Sequence, residues 1–510
     1  MQTRPARNLA YAMLALGAAA LAGLAAVSLR WRYAHDSPLM LYVAYLMNAF
    51  GAVPYRDVFD MNLPGTYFVL AWFGRLFGYS DAAFRLLDLA WMLLLAWCTY
   101  GWLRRFGRPA ALAGALLPAL HYLLTGPTMS LQREQIALLP FAAAVAIAMR
   151  PPGGRPAARG FAIGLLTAAA ALVKPQFVFL GLPVALSALL DSRPATRSAA
   201  VVPLAAGFAL PVLLCVAGLA AAGGLRPFLE IAHRYWPLYT HLTGAHAPVG
   251  GLDRFLYLIH RTALGLWSLY TPVALFGLMM LVPDRSARRE AFLLGAVAAC
   301  AALYPALAGQ FWPYHWLPLR HTALALSGLC LLPLARGRRR AYGVFPILLA
   351  ALLLLLASAQ ALLMANAQLR NPDEYRVVKH GVPDRVAAFL RSNLRPGDTV
   401  QPLDWTGGAV HGMLMAGARL GTSFLYDFHF YHHAGHPYIA ALRARFLREM
   451  EERRPRFVVE VLQDKPWPTG EGSTQEFPEL RALLERDYEV AEDDPYCRIH
   501  ARRTPAASAP

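Results

Sequence analysis

Lysine is almost missing from this chain of 510 residues. Lys174, Lys379 and Lys465 are the only three, so the 48 basic residues are nearly all arginine. Acidic residues are few too, at 31, which leaves a net charge of +17. Charged residues make up 15% of the chain, well below the quarter or so of an ordinary soluble domain. The five cysteines, Cys98, Cys215, Cys300, Cys330 and Cys497, show no CxxC spacing, and four lie inside apolar runs. That excludes a disulfide framework and a zinc site of the usual spacing. Ionisable residues are scarce in the middle of the apolar runs, where a transport pathway would need them. Arg85 and Asp88 are three apart on one helical face, a spacing at which they pair with each other. No internal repeat is present.

What is there is apolar. Hydrophobic residues reach 57% and mean hydropathy is +0.37. Runs of about 20 apolar residues, enough to span a bilayer core, recur through the first three quarters. Spans are expected near 9–29, 82–103, 110–124, 135–149, 160–173, 176–190, 199–222, 263–282, 291–308, 317–334 and 343–366. The first run lacks a cleavage site followed by a polar mature domain, so it reads as a retained span and not a signal peptide. Short arginine-rich connections, "RRFGR" (104–108), "RPPGGRPAAR" (150–159), "DSRPATR" (191–197), "DRSARR" (284–289) and "RGRRR" (336–340), alternate with longer aromatic ones. The positive-inside rule places the arginine set and the N-terminus in the cytoplasm. The basic charge is thereby assigned to membrane orientation and anionic lipid, not to nucleic acid.

The expected fold is a polytopic α-helical membrane protein of about eleven spans with a small C-terminal α/β domain outside the cytoplasm. The division falls at residues 1–370 and 371–510. Within the long outer loop 30–80, Pro38–Phe50 and Pro64–Phe77 have the spacing of helices lying at the interface. After Asn371 charges become frequent. Helices are expected over 384–394, 438–454 and 477–487, and strands over 398–403, 456–462 and 496–502. The tail "RTPAASAP" reads as disordered, and the histidine-rich run 427–436 as a mobile exposed loop.

Ionisable residues gather at the outer ends of helices, the layout of a site reached by a polar substrate from outside and by a lipid from the bilayer. Asp36 follows the first span beside Trp31 and Tyr33, where a carboxylate can take a proton from a sugar hydroxyl or hold a divalent ion. Asp57 and Asp60 are three apart. They read either as a carboxylate pair that divides base and orienting roles or, for Asp60 or Asn62, as a cap on the helix from Pro64. Arg133 and Lys174, with Arg56, read as cations for a phosphate. The alternatives are an interface anchor for Arg133 and a snorkelling side chain for Lys174. Glu134, His233, Tyr235 and His315 are expected to line the same cavity, with Arg320 nearby.

In order along the chain, Asp36, "GAVPYRD" (51–57), "DMNLPGTY" (60–67), "LFGYSDAAFRL" (76–86), Arg133-Glu134 and "KPQ" (174–176) resemble the GT-C membrane glycosyltransferases. The likeness is to the protein mannosyltransferase and aminoarabinose transferase relatives. It implies a polyprenyl-phosphate-linked sugar as donor, an envelope glycan, lipid or protein outside the cytoplasm as acceptor, and inversion at the anomeric carbon. It also implies residence in the bacterial inner membrane and Asp36 as the catalytic carboxylate. Many relatives carry Asp-Glu at that position, whereas this chain has "DSP", so metal dependence stays open. Two rival readings are a lipid-linked sugar flippase or transporter, and a non-catalytic envelope assembly protein.

Overall fold

The computed structural model describes residues 3–151, 155–190, 198–335, 343–463, 465 and 476–503. The arginine clusters at 191–197 and 336–340, part of that at 150–159, and the tail from residue 504 lie outside the described residues. The chain divides into two compact units. One comprises Met1–Trp31, Arg85–Cys215 and Gly250–Pro372, and the other Arg32–Phe84, Val216–Val249 and Asp373–Pro510.

The first unit is helical. Among the described residues, six helices of the chain are long and apolar enough to cross a membrane, or seven if the bent pair Gly251–Leu266 and Tyr270–Met279 counts as one. Arg108–Leu124, Arg133–Ala148, Pro156–Ala171 and Phe177–Leu190 sit on expected runs but have only 14 to 17 residues, short of the ~20 that a straight crossing takes. The run expected as one span over 263–282 is instead bent by 70° at residues 267–269. Helices approach closely through glycine. A Cβ on Gly164 would come within 2.1 Å of the Leu204 carbonyl, and one on Gly328 within 2.5 Å of the Ala110 carbonyl. Small residues of this kind let apolar helices pack backbone to backbone in a membrane.

The second unit joins the two long connecting segments to the C-terminal residues. Helices Ser37–Phe50 and Pro64–Phe77 lie where the spacing predicts them. On the latter, Phe68, Trp72 and Leu76 form an exposed apolar stripe, with Trp72 69% exposed, as expected of a helix lying on lipid. The C-terminal residues form a five-stranded sheet: β1 (Thr399–Leu403), β2 (Arg419–Leu420), β3 (Phe457–Val461), β4 (Tyr488–Asp493) and β5 (Cys497–Arg502). The strand order is β2-β1-β3-β5-β4, with β1 parallel to β2 and β3 and with β5 antiparallel to β3 and β4. Neither β2, of two residues, nor β4, an edge strand carrying Glu489, Glu492 and Asp493, shows the apolar alternation that marks a strand in sequence. The connecting segment is stitched to this domain where the Phe59 N–H donates to the Ser423 carbonyl at 2.7 Å.

The run 427–436 is not the exposed loop that its polarity suggests. Phe428, His429, Phe430, Tyr431 and His432 are buried, and exposure begins at Ala434. Phe430 packs on Phe424, Phe446 and Phe477. The aromatic content of the run decides its placement, and its histidines follow it inside.

Candidate active site

The turn that carries Asp36 is clamped from several sides in the second unit. The Arg32 guanidinium binds Asp81 at 2.9 Å and Asp384 at 2.7 Å. The Tyr33 N–H donates to Asp81 at 2.8 Å, and the Tyr33 hydroxyl to the Tyr79 carbonyl at 2.8 Å. His411 lies 3.2 Å from Asp81. His35 then takes a left-handed backbone conformation, φ 56°, which a side chain other than glycine holds only when its surroundings enforce it. That turn sets the His35 Nδ1 2.8 Å from the Asp36 carboxylate. Asp36 starts helix Ser37–Phe50 without capping it through its side chain.

Beside this turn the imidazole of His246 meets Trp405 at 4.8 Å and stacks on His432 at 5.2 Å. Burial, with the charges of His432 and His35, pulls the pKa of His246 down to about 3 although Asp36 acts the other way. The ring is therefore neutral at physiological pH. A cleft of about 270 Å³, partly open to solvent, is lined by His35, Lys379, Asp404, Thr406 and His411 among others.

Asp57 and Asp60 serve the loop that bears them. Asp57 is bound by Arg56 at 2.8 and 3.0 Å and accepts the Val53 N–H at 2.8 Å. Asp60 is buried and accepts the Asn62 N–H at 2.6 Å. It does not cap the helix that follows, whose N-cap is Leu63 without a side-chain bond. Tyr235 is buried at the end of a π-helical turn, with its hydroxyl 2.7 Å from His429 Nδ1. His233, on the same turn, is exposed.

In the first unit, four of the residues singled out in the sequence come together. Glu134 is fully buried, and Lys174 Nζ lies 2.9 Å from its carboxylate. The Tyr304 hydroxyl donates to the same carboxylate oxygen at 3.2 Å, and His315 Nε2 stands 3.8 Å from it. Arg133, 7% exposed, donates to the Tyr314 hydroxyl at 3.3 Å, and both cations lie over the Tyr314 ring, at 5.4 and 5.6 Å. Neither is a surface anchor or a snorkelling side chain. Arg320 instead lines a separate cleft of about 360 Å³, partly open to its surroundings, with His121, Gln135 and His321.

A family model described as dolichyl-phosphate-mannose-protein mannosyltransferase matches residues 62–219. No curated protein matches the sequence. In structure, the chain is similar to ArnT from Cupriavidus metallidurans bound to undecaprenyl phosphate, with a TM-score of 0.60 at 13% identity, over 96% of this chain and 98% of that one. The apo form of the same protein gives 0.59 at 15% identity over the same shares. The oligosaccharyltransferase of Archaeoglobus fulgidus, in complex with zinc and sulfate, gives 0.47 at 13% identity over 92% of this chain and 69% of that one.

The chain has the GT-C glycosyltransferase fold. It is a multi-pass membrane protein on that fold, and the matched family model is one of glycosyltransferases. Within this GT-C framework the motif aspartate Asp81 acquires a clear task, since it holds residues 32 and 33 ahead of Asp36. Sequence reasoning missed Tyr304, His35, His246 and Trp405. Among the described residues, no group of three or more His, Cys, Asp or Glu side chains is placed to hold a metal ion.

Proposed function

We propose that this GT-C chain is an inverting glycosyltransferase that moves a sugar from a polyprenyl-phosphate donor to an acceptor outside the cytoplasm. In this reading it lies in a bacterial inner membrane with its N-terminus cytoplasmic. Residues 1–370 form the catalytic membrane domain, with outer loop 30–80, and residues 371–510 an outer domain that shapes access for the acceptor. The observation that carries the proposal is the Arg133–Glu134–Lys174–Tyr304–Tyr314 cluster. It holds two cations and two phenols around one buried carboxylate, in a chain that has few ionisable residues to place. The undecaprenyl phosphate bound by the structurally similar ArnT supports a polyprenyl phosphate as the anion they receive.

The acceptor hydroxyl gives its proton to the Asp36 carboxylate as its oxygen attacks the anomeric carbon. The bond from that carbon to the phosphate oxygen breaks, and its electron pair leaves on the polyprenyl phosphate. Arg133 and Lys174 stabilise the departing phosphate, so no separate acid is required. The carboxylate also favours the oxocarbenium character of the transition state, and a single displacement inverts the configuration. Asp57, Asp60 and Arg56 act one step back in this scheme, fixing the loop.

The test is transfer from a radiolabelled polyprenyl-phosphate sugar by the purified protein. Asp36→Asn is expected to lower the rate by about 10²- to 10⁴-fold, the usual weight of a general base, with an unchanged unfolding transition. Full activity in that variant would remove Asp36 from the mechanism.

A further inference from the structure

Trp405 stands between two imidazoles beside the turn that carries Asp36. It follows β1 in the segment "DWTGG" (404–408). That segment is stiff. Asp404, buried, accepts the Gly407 N–H at 2.6 Å and the Val410 N–H at 3.3 Å. Gly408 sits at φ 111°, and a Cβ on Gly407 would come within 2.4 Å of Val461. The indole itself is half-buried. Two imidazoles stand perpendicular to it, His35 at 5.7 Å and His246 at 4.8 Å. Both histidines hold left-handed backbones, φ 56° and 57°, and strain of this sort collects where geometry serves a function. Among the described residues the indole N–H makes no hydrogen bond. Burial leaves the imidazole of His246 neutral, so it meets the indole as an aromatic ring and not as a cation. One imidazole separates the indole from the Asp36 carboxylate.

We propose that Trp405 is the platform of the acceptor subsite and that the acceptor is a saccharide, one pyranose ring lying on the indole with its reacting hydroxyl directed to Asp36. This deepens the glycosyltransferase reading and rests on it. The chemistry selects a sugar over an acyl chain. A pyranose has an apolar C–H face to lie on an aromatic ring and hydroxyls at its rim, one of which satisfies the indole N–H. An acyl chain would cover that N–H and leave it unpaired, which costs free energy. A large, rigid aromatic with one polar edge positions such a ligand with little loss of its own freedom. Trp405 is on this account a substrate-contacting residue, and Gly407, Gly408 and Asp404 are the positioning residues behind it.

The experiment has two arms on the full-length protein in lipid nanodiscs. The first measures binding of defined pyranose mono- and disaccharides by ligand-observed NMR, with acyl chains and serine/threonine peptides as competitors. The second measures transfer of radiolabel to an envelope saccharide fraction as that fraction is diluted. Trp405→Ala is expected to abolish saccharide binding and raise the acceptor KM by about tenfold, the weight of one aromatic contact with its hydrogen bond. The donor KM should not move. Trp405→Phe keeps the face and loses only the N–H, so it should fall between, and it carries the test if the alanine variant does not fold. An unchanged acceptor KM and unchanged saccharide binding in both variants overturns the proposal. So does an equal rise in donor and acceptor KM, or displacement of the sugars by peptides or acyl chains. If the wild-type protein binds saccharides through Trp405 but transfers no sugar, the transferase reading fails while the subsite stands.

Discussion

Among the described residues of the helical unit, the ion pairs Arg85–Asp88 and Lys174–Glu134 each bury a carboxylate fully, and they are completed to different degrees. In the Arg85–Asp88 pair both carboxylate oxygens and both terminal guanidinium nitrogens are engaged, and Arg85 Nε alone makes no hydrogen bond among the described residues: the guanidinium binds Asp88, Ser130 at 3.1 Å and Ser28 at 2.7 Å, and it lies 4.4 Å over the Trp31 ring. Asp88 accepts from the Tyr122 hydroxyl and from the Leu131 N–H at 3.2 Å. In the Lys174–Glu134 pair one carboxylate oxygen takes both Lys174 and Tyr304, while the other oxygen, and the His315 Nδ1, make no hydrogen bond among the described residues. A closed network holds helices together. An open one keeps hydrogen-bonding capacity for something that arrives. Burial alone does not separate the two, and the state of the carboxylate oxygens does: among the described residues, both of Asp88 accept hydrogen bonds, and one of Glu134 does not.

The largest effect expected is on the closed pair. Asp88→Ala leaves the Arg85 charge buried without its partner and should cost about 3–5 kcal/mol of stability, read from denaturant or thermal unfolding in detergent. Replacing both, Arg85→Met with Asp88→Leu, should recover most of that loss, because an apolar pair of similar volume avoids the desolvation of two charges. A single variant as stable as the wild type would mean that the pair is not structural, and the contrast with Lys174–Glu134 would collapse.

Next in size is the open pair. Lys174→Met should raise the donor KM by about tenfold to a hundredfold, the loss of one or two bonds to a charged group. The donor titration and the unfolding curve must be measured on the same preparation. A large loss of stability with an unchanged donor KM would make Lys174–Glu134 a second structural pair and deprive the phosphate cradle of its cation.

Much of this contrast is visible in the sequence, for a physical reason. In a chain with so little charge, each ionisable residue near an apolar run has to be accounted for, so Arg133, Glu134, Lys174 and His315 stand out, as do Arg85 and Asp88 at their helical spacing. The helices Ser37–Phe50 and Pro64–Phe77 are legible because a proline opens each and a glycine follows each. Tyr304 is not, since an aromatic near the end of an apolar helix is indistinguishable from packing until Glu134 is seen beside it. His246 and Trp405 are about 160 residues apart in number and carry no shared pattern, and only the tertiary fold joins them. The number of crossings is equally hidden, because hydropathy registers an apolar run and not the 70° bend at residues 267–269.

The smallest effect expected is at the exposed Arg56–Asp57 pair, which sharpens the comparison from the other side. Burial raises the Asp57 pKa, but the hydrogen bonds from Arg56 and the Val53 N–H, together with the Arg56 charge, outweigh it and hold the carboxyl below its usual range. A carboxyl depressed in the folded state contributes stability above its unfolded pKa of about 4 and loses it as pH falls through the folded value. Arg56→Gln should therefore be slightly less stable than the wild type above about pH 4, and the two unfolding curves should merge on further acidification as both carboxyls protonate. The gap should also shrink with added salt, as it does for an exposed pair. The donor KM should change by less than about twofold, because a solvated pair contributes little. A donor KM that rises as far as in Lys174→Met, with no pH-dependent gap in stability, would move Arg56 out of the loop and into the phosphate cradle.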